Sequence, residues 1–141
     1  MMYVLDASAA LRTVLHGPNT SKAIRLRDDY ILRIHKLLAP SIFPGEIASG
    51  LTKAERQRLI KVGRARPLIA DVLSTPPTFY AYEPLIYRAV DISSQTRAGF
   101  YDCLYVALAE REGCEMVTDD DKLIKNVQVR YPFVRSLASL L

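Results

Sequence analysis

Four places in the chain set a carboxylate after an apolar run or at the opening of a helical pattern: Asp6, Glu46, Asp102 and the triplet Asp119-Asp120-Asp121. Each has an ordinary structural explanation, because aspartate caps helix N-termini and acids in a first turn suit the helix dipole. Together they point further. Carboxylates that converge on one edge repel one another and raise their pKa values unless a cation lies among them. No Lys or Arg adjoins Asp6 or Glu46 in sequence, so a bound divalent cation is the economical solution. All-oxygen ligands favour Mg²⁺ or Mn²⁺ over zinc. Such ions serve phosphate chemistry, activating water and neutralising charge that develops on a phosphodiester.

An open parallel sheet would bring these acids together, because ligands bind there beyond the carboxyl ends of the strands. Met2-Tyr3-Val4-Leu5 is a short apolar run without alternation, which suits a strand covered on both faces. A helix is expected over Ala7–Leu15, and a longer one from Asn19 or Thr20 whose buried face is Ile24, Ile31, Ile34 and Leu38. Leu38 to Ile42 reads as a second strand of two or three residues, before Pro44 opens a helix carrying Ala48, Leu51, Leu59 and Val62. Arg66–Leu73 supplies another helix and Phe79–Tyr82 a third strand. Pro84–Ile92 is expected to be helical and Ser93–Arg97 a polar connection. Asp102–Glu112 is a helix stopped by Gly113, followed by strand Glu115–Thr118, a short helix over Asp119–Lys125 and a fifth strand near Phe133-Val134. Alternation of strands and helices gives an α/β fold: a short central parallel sheet with helices on both faces, three layers in all.

The basic residues suggest a polyanionic substrate. Lys53, Arg56, Arg58, Lys61, Arg64 and Arg66 gather around a single acid, Glu55. Lys53, Arg56, Lys61 and Arg64 would share one face of an unbroken helix and could touch phosphates, although Gly63 tells against continuity and a solvated face is the alternative. Tyr101 and Tyr105, around Asp102, could stack on single-stranded bases or pack in the core or an oligomer interface. His16 and His35 have no partner at metal-ligand spacing, and Cys103 and Cys114 form neither a disulfide framework nor a zinc pair. With 141 residues, half of them hydrophobic, and a net charge of +4, the chain reads as one domain with a buried core. Charges interrupt every apolar run before it could span a membrane, so a cytoplasmic protein is expected.

The ordered motifs resemble the PIN-domain ribonucleases and, within them, the VapC toxins of toxin–antitoxin pairs. Val4-Leu5-Asp6-Ala7-Ser8 is similar to the family's opening strand and aspartate, and Pro44-Gly45-Glu46-Ile47-Ala48 to its glutamate segment. Tyr101 to Ala109 resembles its third motif, and Val117-Thr118-Asp119-Asp120-Asp121-Lys122-Leu123 its fourth. The resemblance implies an endoribonuclease using Mg²⁺ or Mn²⁺ held by Asp6, Glu46, Asp102 and Asp120, with Ser8 and Thr118 as supporting hydroxyls. Asp119 departs from the family pattern and is a substitute for Asp120. The resemblance also implies a homodimer and an inhibitory antitoxin. Two other readings remain: a silent RNA- or protein-binding module of the same fold, and a phosphatase with Asp6 as nucleophile, for which Ser8 stands where a second Asp is wanted.

Overall fold

The apolar run at the start of the chain becomes β1 (Met2–Leu5), the centre of a five-stranded sheet in the order β3-β2-β1-β4-β5. The computed structural model describes residues 1–140. All four strand pairings are parallel, with β2 (Lys36–Pro40), β3 (Thr78–Tyr80), β4 (Glu115–Thr118) and β5 (Val134–Ser136) completing the sheet. Tyr3 lies opposite Leu37 on one side and Glu115 on the other, and Leu5 lies opposite Val117. Among the described residues seven α-helices connect the strands: α1 (Ala7–Leu11), α2 (Thr20–Ile31), α3 (Phe43–Arg56), α4 (Ala65–Leu73), α5 (Ile86–Thr96), α6 (Phe100–Glu112) and α7 (Asp121–Val127). Right-handed crossovers put α1 to α4 on one face of the sheet and α5 to α7 on the other, giving the expected three layers.

Two helices position the carboxyl edge. Every residue of α6 from Cys103 to Ala109 is buried, because the helix packs on β1, β2 and β4 and is covered by α5. Gly113, at φ 66°, ends α6 in the left-handed region that favours glycine. The opposite end of α6, with Asp102 in its first turn, therefore lies at the carboxyl edge of the sheet. On the other face, α3 starts with Pro44 in its first turn and packs closely against α1. A Cβ on Gly50 would come within 2.5 Å of the tip of Leu11, so the glycine permits that approach.

Several expected elements end elsewhere. The helix after Asp6 stops at Leu11, and the second strand begins earlier than expected, at Lys36. In α2 the buried residues are Thr20, Ala23 and Leu26, whereas Ile31 and Ile34 are exposed and Leu38 belongs to β2. That periodicity ran through two different elements joined by a turn at Arg33, φ 60°. Residues Ser93 to Thr96 extend α5 rather than form a connection.

The continuous basic face also fails. α3 ends at Arg56, Arg58 turns the chain at φ 60°, and α4 starts only at Ala65. Glu55 Oε2 accepts hydrogen bonds from the Gly63 and Ala65 amides at 3.0 and 2.8 Å, tying down the connection. Lys53 and Arg56 thus occupy the last turn of α3, where they complement its dipole, while Lys61 and Arg64 lie in the connection. Leu59 and Val62, expected to continue the apolar pattern of the helix, lie in the connection and are exposed.

Candidate active site

The sheet order reverses at β1, whose neighbours β2 and β4 are reached by crossovers in opposite directions. The crevice beyond the carboxyl ends of β1 and β4 is therefore the switch point at which an open α/β sheet binds ligands. Asp6 leaves β1 in extended geometry as the residue before α1, and its amide still donates to Val117 O at 3.0 Å. Only 3% of Asp6 is exposed. Its Oδ2 accepts from Ser8 Oγ at 2.5 Å and from Thr118 Oγ1 at 2.8 Å. Each hydroxyl has one proton to give, and each in turn accepts a backbone amide: Asp119 N on Ser8 at 2.9 Å, Asp120 N on Thr118 at 3.1 Å. The pair fastens the end of β1 to the turn after β4 and leaves Asp6 Oδ1 without a partner among the described residues.

Three more carboxylates converge here from other elements. Burial raises the pKa of Asp6 against the two hydroxyl bonds, with Asp120 adding to the rise. Burial also raises Glu46, in the first turn of α3, which Tyr105 partly offsets and Asp6 reinforces. Asp102 is pushed up to about 7 by burial and then by Asp6, Asp120 and Glu46. Asp120 caps α7, accepting from the Lys122 and Leu123 amides through Oδ1 at 3.0 and 3.1 Å, and keeps Oδ2 free. The ordinary capping role and a place in the cluster therefore coexist in one residue.

Asp119 turns away. Its Oδ2 pairs with Arg12 Nε at 2.7 Å and its Oδ1 accepts from Asn19 Nδ2 at 2.8 Å, so both oxygens are engaged on the α1 to α2 side. Among the described residues no ion pair reaches Asp6, Glu46, Asp102 or Asp120. Uncompensated hard oxygen donors of this kind fit Mg²⁺ or Mn²⁺. As they stand, no three acid, His or Cys side chains among the described residues are gathered tightly enough to hold an ion, so ligation would need the acids to close inward.

Other sequence candidates lie elsewhere. Lys53, Arg56, Lys61 and Arg64 are all exposed and pair with none of the four acids. His35 is buried before β2 at the amino edge, and His16 is exposed in the turn before α2. Both cysteines are free. Sequence reasoning missed Arg12 and Asn19 as the residues that hold Asp119, since nothing local links them to a position 100 or more residues away. It weighed Tyr105 as core, oligomer interface or stacking surface. The side chain is fully buried, its hydroxyl approaches Glu46 without a well-formed hydrogen bond to any of the described residues, and burial followed by Glu46 and Asp6 raises its pKa.

The PIN domain family model matches residues 3–129. The chain belongs to the PIN domain family. VapC ribonuclease Mb0985 of Mycobacterium bovis is 32% identical over 131 residues, covering 93% of this chain and 95% of that protein. Ribonuclease VapC12 of Mycobacterium tuberculosis is 32% identical over 126 residues, 89% of this chain and 92% of its own. Among solved structures, PAE2754 from Pyrobaculum aerophilum superposes with a TM-score of 0.70 at 23% identity, covering 99% of this PIN chain and 94% of the other. VapBC2 from Rickettsia felis, bound to a DNA fragment from their promoter, gives 0.65 at 15% identity, with 96% and 97% covered. These structural likenesses establish the PIN fold. Among the described residues no helix is long and apolar enough to cross a membrane.

Proposed function

We propose that the protein is an Mg²⁺- or Mn²⁺-dependent endoribonuclease, the toxin of a toxin–antitoxin pair, with Asp6, Glu46, Asp102 and Asp120 as its metal-holding carboxylates. The observation that carries this reading is the convergence of four acids from four elements on the switch-point crevice, with no basic partner to balance them. The names of its VapC ribonuclease relatives support RNA as the substrate, and the likeness to VapBC2 supports an antitoxin as partner. As part of the same reading, residues 1–141 form one domain that works in the cytoplasm as a homodimer.

Ser8 and Thr118 occupy Oδ2 of Asp6 and thereby orient Oδ1 for a cation, a supporting role typical of groups behind metal ligands. Asp120 offers Oδ2 while its other oxygen caps α7, and Asp119, held by Arg12 and Asn19, leaves the fourth position to Asp120. Asp102, whose pKa is raised to about 7, would have to be ionised to hold a cation, since a metal takes the carboxylate and not the acid. A bound divalent ion would supply activation of water and stabilisation of the charge developing on the phosphodiester.

The experiment is cleavage of structured RNA by the full chain in Mg²⁺, in Mn²⁺ and in excess chelator, beside Asp6→Asn and Asp102→Asn. Chelation should abolish cleavage, and each variant should lose more than about 100-fold, beyond the loss usual for a group that only supports a ligand. Cleavage that survives chelation, or equal rates in the variants, would refute the mechanism.

A further inference from the structure

A cleft of about 420 Å³ opens beside the acids, lined by Ser41, Ile42, Gly45, Glu46, Ser49 and Tyr101. We infer that this cleft is a subsite for one unstacked RNA base next to the scissile phosphate, with the exposed Tyr101 ring as its stacking platform. The inference rests on the nuclease reading and adds a substrate-contacting residue to it.

Tyr101 immediately precedes Asp102 in the first turn of α6 and is 57% exposed, while Cys103 to Ala109, which follow Asp102, are buried. Phe100 braces the ring edge-on, with centroids 5.3 Å apart and planes at 68°, so the platform is held in place before any ligand arrives. Opposite it, the backbone at Gly45 leaves open space: a Cβ there would meet nothing within 4 Å. The polar groups suit a base edge better than a phosphate. Glu46 is the one charged side chain of the lining, and it would repel phosphate. Ser41 Oγ accepts the Tyr82 amide at 3.3 Å and keeps its own proton to donate, and Ser49 Oγ has no partner among the described residues. Hydroxyls donate or accept as required, so the subsite tolerates different bases. Because Glu46 belongs both to this cleft and to the acid cluster, the base it receives must adjoin the phosphate being cut. A base inside a duplex has both faces covered by its neighbours and could not lie on the tyrosine.

The test is binding of a mixed-sequence single-stranded oligoribonucleotide containing 2-aminopurine, whose fluorescence falls on stacking, by the full chain with Mg²⁺ and with chelator. Cleavage of the same RNA and the oligomeric state in solution are measured alongside. Tyr101→Ala should weaken binding roughly 5- to 100-fold and abolish the quenching, the range expected for one lost aromatic stack. Tyr101→Phe should restore both to within about threefold, because it keeps the ring. Unchanged binding and quenching in Tyr101→Ala, with cleavage intact, would overturn the subsite while sparing the nuclease reading. A change of oligomeric state without loss of RNA affinity would overturn it in favour of a protein contact. A wild-type chain that cuts structured RNA but does not bind the oligoribonucleotide would overturn the subsite and spare the nuclease reading, whereas one that cuts neither RNA and binds neither would remove both.

Discussion

Asp102 has no hydrogen-bond partner among the described residues, and burial with three neighbouring acids lifts its pKa from 3.8 to about 7. Between those values the folded chain holds a proton that the unfolded chain has released. The resulting stability is complete below about pH 4 and is lost as the pH rises through about 7. Asp6 and Glu46, also raised, act in the same direction, and Glu110, lowered by Arg88, acts against them. Ion-free protein should therefore show a Tm that falls between about pH 4 and about pH 7. Asp102→Asn should flatten that slope, and Mn²⁺ should raise the Tm at the alkaline end. A steeper fall in the variant than in the wild type would contradict the assignment. Asp6 and Asp102 were legible in the sequence because each stands at the boundary of a clear apolar or helical run. The division of labour between Asp119 and Asp120 was not, because it depends on Arg12 and Asn19, brought in from the far side of the chain.

The connection between α3 and α4 shows where helix periodicity stops being informative. Apolar Leu59 and Val62 continue the spacing of α3 in sequence, but the chain has already turned at Arg58. Gly63 signalled a break but placed it several residues late, because what ends the helix is a turn at the non-glycine Arg58, while the Glu55 carboxylate ties the connection down farther on, at the Gly63 and Ala65 amides. Ile31 and Ile34 misled in the same way at the end of α2, where Arg33 turns the chain. By contrast the C-terminal end of α6 was readable, since Gly113 supplies a local stop, whereas the helix begins at Phe100, two residues earlier than expected. Glu55→Ala removes the acceptor for two amides at the start of α4 and should cost about 1 kcal/mol in urea unfolding, the usual worth of a lost helix cap. No change in the midpoint would mean that water replaces the carboxylate without loss.

At the scale of the whole molecule, the net charge of +4 conceals a separation between buried and half-buried acids at the sheet edge and exposed bases around the end of α3. If Lys61 and Arg64 touch the RNA backbone, the double variant Lys61→Ala/Arg64→Ala should weaken binding of every sequence alike. The slope of log affinity against log salt should become shallower by about 0.7 for each phosphate contact removed. An unchanged slope would leave these cations as a solvated surface. The parallel α/β plan itself was legible from alternating apolar runs and helical patterns, since that alternation is local. The fastening of Asp6 to Thr118 was not, because it joins residues 112 positions apart. That separation sets an order of events during synthesis. A ribosome that has made β1, β2 and β3 has produced Asp6, Glu46 and the first crossovers, yet the crevice has only one wall until β4 emerges and pairs with β1. The four acids therefore come together only once β4 and the Asp120 that follows it have been made, so a nascent chain that stops short of β4 carries Asp6, Glu46 and Asp102 without the crevice that gathers them.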